Sequence, residues 1–206
     1  MKTAILLAAG LSKRMGRDKL LLPYKGITML DQAIELLDAL PCQEKIIVTT
    51  TERLAAITLP KNILPVINPS QQAGQSESLR LGIMAAGSGY AGVKPEGKPE
   101  DRIPGYYIFL NADQPRLTLA GILDMIKLSE ENPDKIIYPE VNGKPTTPVL
   151  FPARYRSKLL TQKGDTGGRK IRETNPTLAF VPENPENFMD VDCLADYELI
   201  CGDLNR

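Results

Sequence analysis

Two cationic side chains and a glycine stand close together near the start of the chain. The stretch reads Ile5-Leu-Leu-Ala-Ala-Gly-Leu-Ser-Lys-Arg-Met-Gly-Arg-Asp-Lys19, with no carboxylate before Asp18. Glycine admits backbone angles closed to other residues, so successive N–H groups from Gly10 to Ser12 can turn toward a phosphate. Arg14 brings a planar fork of donors and Lys19 a movable point charge, a pair suited to a polyphosphate. The spacing is not that of a P-loop, since Gly10 and Gly16 are six apart and Lys19 follows three later. Nor is it a Gly-x-Gly-x-x-Gly dinucleotide turn. The blander reading is a solvated strand–helix connection with incidental charges.

Three further places carry residue types that bear chemistry. Asp113 follows the apolar run Tyr106-Tyr-Ile-Phe-Leu110. It suits a turn cap, or a magnesium ion held by one or two carboxylates plus substrate phosphates and water. Gly74-Gln-Ser-Glu-Ser78 precedes a helical pattern, where Ser76 or Ser78 suits an N-cap. Gly164-Asp-Thr-Gly-Gly-Arg169 is a second glycine-rich turn, followed by Lys170 and Arg172. It reads as a helix cap with a basic first turn. Cations there oppose the helix dipole, which favours an anion as partner.

The elements that must position these groups alternate. Thr3 to Ala8 reads as a buried strand. Thr28 and Asp31 form a capping-box pattern before a helix whose apolar face is Leu30, Ala33, Ile34, Leu37 and Leu40, ended by Pro41. Lys45–Thr49, Ile63–Ile67 and Tyr106–Leu110 read as strands, and Ser76–Ala86 and Leu119–Leu128 as helices. Ile136–Tyr138 and Val149–Phe151 read as short strands that pair. Strands separated by helices imply an α/β domain with a mostly parallel sheet, whose ligands bind at the carboxyl ends of strands. Arg14, Lys19 and Asp113 then share one rim. Residues 87–105, rich in glycine and proline, read as a surface loop within the same domain.

Bulk properties narrow the chemistry. The 206 residues fit one domain, 42% are hydrophobic and 24% charged, and formal net charge is zero. Nothing in that balance calls for nucleic acid or a membrane. No signal peptide or membrane span is expected, which points to the cytoplasm. Histidine is absent, and Cys42, Cys193 and Cys201 lie far apart. A disulfide framework, a zinc site and histidine-based catalysis are thereby disfavoured, leaving carboxylates, Arg, Lys and an oxygen-bound metal.

Leu7-Ala-Ala-Gly-Leu-Ser-Lys-Arg-Met-Gly-Arg-Asp-Lys19 resembles the signature loop of the nucleotidyltransferases related to molybdenum cofactor cytidylyltransferase and guanylyltransferase. Lys19-Leu-Leu-Leu-Pro23, Asn68-Pro69, Gly74–Ile83, Asn111-Ala-Asp-Gln-Pro115, Pro148-Val-Leu-Phe151, Gly164–Arg169 and Asp190-Val-Asp192 extend the likeness in family order over almost the whole chain. The resemblance implies a single-domain, Rossmann-like three-layer fold of the glycosyltransferase-A type. Its nucleotide-binding part would cover about residues 1–115 and its acceptor-binding part about 116–206. It implies nucleotide contacts from Leu7, Ala8, Ala9, Gly10, Ser12, Asn68, Gly74, Gln75, Ser76 and Ser78, with Arg14, Lys19 and Asp113 catalytic. Asp113 and Asp192 would hold Mg2+, with Asp190 an alternative second ligand two residues away. Gly164, Asp165, Gly167 and Arg169 would face the acceptor.

In the reaction so implied, an acceptor phosphate oxygen attacks the α-phosphorus of a nucleoside triphosphate and pyrophosphate leaves. A phosphate monoester with second pKa about 6 is already largely dianionic at neutral pH, so no general base is needed. By resemblance the acceptor is the molybdenum cofactor, a molybdopterin, with a molybdenum hydroxylase or its maturation factor as a partner. Ala8-Ala9-Gly10 resembles the cytidylyl branch, guanylyl relatives carrying glycine at the place of Ala9, so CTP is the expected donor. Many such cytidylyltransferases have histidine where this chain has Thr147, which leaves other phosphorylated acceptors open. The rivals are a sugar-phosphate or isoprenoid-type nucleotidyltransferase, a non-catalytic molybdenum cofactor chaperone, and a glycosyltransferase of similar fold. The last usually carries Asp-x-Asp, where Asn111-Ala-Asp113 offers one acid.

Overall fold

A computed structural model of the chain describes residues 1–10, 15–70, 74–87, 105–164 and 167–202. Ser12, Arg14, Asp165 and most of the 87–105 loop therefore lie outside the described residues. The central strands are β1 (Lys2–Leu7), β4 (Glu44–Thr49), β5 (Ile63–Ile67) and β6 (Tyr106–Asn111), mutually parallel and joined by helices. β7 (Ile136–Val141), β9 (Val149–Pro152) and β10 (Thr177–Phe180) extend the sheet in the order β10-β7-β9-β6-β1-β4-β5. β9 runs against both neighbours, and Ile137 pairs with Leu150 as the sequence suggests. β8 (Lys144–Pro145) lies beside β7, and a separate hairpin joins β2 (Pro23–Tyr24) to β3 (Ile27–Thr28).

Strand alternation divides the core in two. Ala4, Leu6 and Ala8, with Ile108 and Leu110, face α1 (Met29–Ala39) and α4 (Leu119–Glu131), which present Leu30, Leu37, Ile122 and Met125. Ile5, Val48 and Phe109 face the other way, toward Leu79 and Ile83 of α3 (Gln75–Ala85), Leu159 of α5 (Arg156–Leu160) and Ile171 of α6 (Arg169–Glu173). A three-layer α/β sandwich results. At Gly82 a Cβ would come within 2.6 Å of Ile5 Cγ2, so this glycine lets α3 lie close on β1.

The capping box is present: Thr28 Oγ1 accepts from the Asp31 N–H at 3.0 Å, and Asp31 Oδ2 from the Thr28 N–H at 3.3 Å. Leu40 is extended, ending α1 before Pro41. The expectation of a serine cap on α3 is corrected: Gly74, at φ 84°, is the N-cap, and Ser76 sits inside the first turn. Two short elements without clear periodicity, α2 (Thr51–Ala55) and α7 (Leu194–Gly202), complete the frame.

Candidate active site

Because β1, β4, β5 and β6 are parallel, their carboxyl ends share one rim. β6 ends at Asn111, and the Ala112 N–H donates to the Leu7 carbonyl at 3.2 Å, holding two strand exits together. Asp113 comes next, and its carbonyl accepts from the Val191 N–H at 2.8 Å. That bond brings the C-terminal segment 190–192 to the rim. Lys19 opens a short 3-10 turn capped by Asp18, whose Oδ1 accepts from the Leu20 N–H.

Lys19 Nζ donates to Asp113 Oδ2 at 2.7 Å and to the Val191 carbonyl at 2.7 Å, and lies 3.4 Å from Asp192 Oδ1. Lys19 and Asp113 side chains are 14% and 20% exposed, Asp192 58%. Burial pulls the Lys19 pKa down, but Asp113 and Asp192 outweigh it, so the ammonium is held above its ordinary value. Asp190 is pushed up to about 7 by burial and by the neighbouring Asp113 and Asp192 charges.

Two carboxylate oxygens here, Asp113 Oδ1 and Asp190 Oδ1, are buried without a hydrogen-bond partner. A buried acceptor left in that condition costs free energy, and a cation relieves it. Asp113 and Asp192 already converge on one ammonium, so their all-oxygen donor set fits a hard divalent ion. Among the described residues no group of three acidic, cysteine or histidine side chains is arranged to hold a metal alone. Substrate phosphate and water must then supply the remaining ligands, which is how Mg2+ usually binds. Of the two candidate second ligands, Asp192 meets Lys19, whereas Asp190 faces the adjoining cleft.

Along the N-terminal loop, Ala8 and Ala9 are buried and the Ala8 N–H donates to the Val48 carbonyl at 2.8 Å. Gly10 is exposed and lies outside the left-handed region; Gly16, at φ +66°, is the residue that needs to be glycine. Arg53, which carries no motif in the sequence, is 5% exposed. Its Nε and Nη2 donate to the two Asp18 oxygens at 2.6 and 2.8 Å. Its Nη1 and Nη2 also reach the Ala8 and Gly10 carbonyls at 2.6 and 2.9 Å.

Asn68 and Ser78 are both buried, Asn68 Nδ2 donating to Ser78 Oγ at 2.9 Å, which ties the exit of β5 to α3. The Ser76 hydroxyl is buried without a partner. Gln75 donates to Asn111 Oδ1 at 3.2 Å and stands at the mouth of a cleft of about 210 Å³. Phe109, Val149 and Phe151 form its apolar floor. Thr146, Thr147, Asp190, Arg169 and Arg172 give it polar walls. Gly167 and Gly168 close one side: a Cβ on Gly167 would meet Gln75 Oε1 at 2.9 Å, and one on Gly168 would meet Phe151 Cζ at 2.5 Å. Arg169 is exposed and pairs with Glu173 at 2.7 Å. Arg172 stacks 5.0 Å from the Tyr138 ring, its pKa lowered by burial. Gly164 takes φ +74° and is exposed, nothing lying within 4 Å of a Cβ built there.

Gln114 is a second group missed from sequence. It is buried, and its Nε2 donates to the Thr147 and Phe188 carbonyls at 2.9 and 2.8 Å, tying the Asp113 turn to the cleft wall.

The lysine–aspartate rim and the cleft meet at Asn111 and Asp190, and the MobA-like NTP transferase domain matches the chain over residues 4–178. The chain belongs to that family. It is a nucleotidyltransferase of the MobA-like kind. The molybdenum cofactor cytidylyltransferase of Escherichia coli K12 is 26% identical over 197 residues, covering 94% of this chain and 92% of its own length. A probable molybdenum cofactor guanylyltransferase of Rhodopirellula baltica is 28% identical over 137 residues, covering 65% of this chain and 58% of the relative. Among solved structures, Rv0371c of Mycobacterium tuberculosis H37Rv superposes with TM-score 0.74 at 22% identity, over 98% of this chain and 97% of that one. At that identity the likeness establishes the fold. Rv0371c has also been crystallised with manganese.

Proposed function

We propose that this nucleotidyltransferase moves CMP from CTP onto the phosphate of the molybdenum cofactor. The observation that carries the proposal is the meeting of Lys19, Asp113 and Asp192 where the N-terminal loop and the cleft adjoin. Residues 1–115 hold the nucleotide and 116–206 the acceptor, with Asp190 and Asp192 reaching back to the shared rim.

In this reading Arg14, Lys19 and the loop N–H groups carry the triphosphate. Gln75, Ser76 and the Asn68–Ser78 pair shape the base and ribose end. Asp113 and Asp192 would hold Mg2+, which when bound supplies positive charge to the phosphates undergoing transfer. The acceptor lies in the cleft, its rings against Phe109 and Phe151, its polar edge toward Arg169 and its phosphate toward the rim. One acceptor phosphate oxygen forms a bond to the α-phosphorus as the bond to the bridging oxygen breaks. The electron pair leaves with pyrophosphate, where Lys19 offsets the new charge. Catalysis by placement and electrostatics suffices for such a reaction.

The Ala9 methyl beside the base narrows that end of the site and favours a pyrimidine. Thr147 favours keeping a second reading, transfer to another phosphorylated acceptor, since it lines the cleft where cytidylyltransferases of this type often have histidine. Pyrophosphate release with Mg2+, molybdenum cofactor and each of CTP, GTP, ATP and UTP tests both. Release with CTP above the others supports the proposal. Binding of CTP without release leaves the donor half standing and rejects this acceptor.

A further inference from the structure

We propose that Arg53 is a positioning residue for the phosphate-binding loop, acting through the backbone and through Asp18 rather than on substrate. The inference rests on the reading that this loop receives the triphosphate.

Arg53 lies on α2, just beyond the end of β4, and its guanidinium is almost entirely enclosed. Four donor contacts account for how it is held. Two form a bidentate pair with Asp18, a geometry that fixes orientation as well as charge. The other two go to the Ala8 and Gly10 carbonyls, alternate residues of the loop. A trans peptide is planar, with its N–H opposite its C=O. Drawing the Ala8 carbonyl onto Arg53 therefore turns the Ala9 N–H away from it. One guanidinium thus bends the exit of β1 around itself and fixes which way its peptide dipoles point.

The ion pair has a second consequence. Asp18 stands next to Lys19, beside the proposed polyphosphate path, where a bare carboxylate would repel the ligand. Arg53 neutralises it at bonding distance in a largely buried setting, where attraction is stronger than in water. Lysine lacks the planar fork to grip both a carboxylate and two carbonyls. The sequence conceals this role, because Arg53 is 35 residues from Asp18 and 43 from Gly10.

The test is equilibrium binding of Mg·CTP and of Mg·tripolyphosphate to the wild type, Arg53→Met, Arg53→Lys, Asp18→Asn and the Arg53→Met/Asp18→Asn double variant, with thermal stability measured alongside. Arg53→Met is expected to weaken both ligands about 10- to 100-fold, the span expected for charge-assisted hydrogen bonds. Arg53→Lys should fall between it and the wild type. The double variant should bind better than Arg53→Met, because the negative charge that Arg53 had offset is gone; a purely structural role would not give that recovery. Should Arg53→Met not fold, Arg53→Lys and Asp18→Asn still bear on the proposal, and unchanged binding in both overturns it. Wild-type affinity in a folded Arg53→Met, or no recovery in the double variant, also overturns it. If the wild type binds neither ligand, the triphosphate reading falls first and this inference with it.

Discussion

The two halves of the rim are built differently. On the side proposed for the donor, polar groups are already tied to one another: Arg53 to Asp18 and two carbonyls, Asn68 to Ser78, Lys19 to Asp113. On the side proposed for the acceptor, the cleft is shaped by close packing of Gly167 and Gly168 against Gln75 and Phe151, and Arg169 is exposed and bonded within its own helix. A site fixed by buried hydrogen bonds holds its geometry before binding, and such preorganisation suits a group that is the same in every substrate of its class. The triphosphate, common to all donor nucleotides, is such a group. A cleft defined by two missing methyl groups and an aromatic floor is tuned by shape, and small side-chain changes there alter which acceptor fits.

Substitutions can break this contrast. Asp113→Asn, at the junction, should lower turnover about 10²–10³-fold, comparable to removing a major electrostatic contact to a transition state. It should also weaken Mn2+ binding measured by paramagnetic resonance. Equal loss of turnover with unchanged metal binding would move the metal off Asp113.

Gly168→Ala should act on the acceptor half alone. Its new methyl would press on Phe151, raising the acceptor KM about 10-fold while leaving the CTP KM within about 2-fold, with about 1–3 kcal/mol of lost stability from overpacking. Equal changes in both constants would show that the two halves are not separable.

Asn68→Ala probes the donor half through stability. It leaves the buried Ser78 hydroxyl without its donor, at a cost of about 1–3 kcal/mol. Chemical denaturation should show that loss, and saturating CTP should widen the difference, because a site that Asn68 orders binds CTP more weakly without it. A gap unchanged by CTP would make Asn68 purely architectural.

What the sequence revealed and concealed follows from the range of each interaction. The buried strands and the Thr28–Asp31 capping box depend on neighbours a few residues away, so periodicity and spacing expose them. Lys19 and Asp113 are 94 residues apart, yet parallel-strand logic places both on one rim. Arg53 and Gln114 were not legible. Each works through partners 32 to 74 residues distant, and an arginine after Glu52 or a glutamine after Asp113 looks like an ordinary solvent-facing side chain. Of the elements after residue 152, only α6 was signalled, by the glycine-rich cap that precedes Arg169. α5 and α6 have five residues each, too few for a helical period to show, and α7 leaves Leu194 and Leu199 exposed while burying Ile200. Ser76 and Ser78 misled for a different reason: both suit an N-cap, but Gly74 reaches a backbone angle they avoid and takes that place.

The most direct measurement follows the label from CTP carrying radioactive phosphorus at its α-position, incubated with Mg2+, molybdenum cofactor and the protein. The account predicts that label moves into a molybdopterin dinucleotide with one pyrophosphate released per label transferred, and that Asp113→Asn slows both about 10²–10³-fold. Label released as free CMP without a dinucleotide, or transfer at the wild-type rate in the variant, would contradict it.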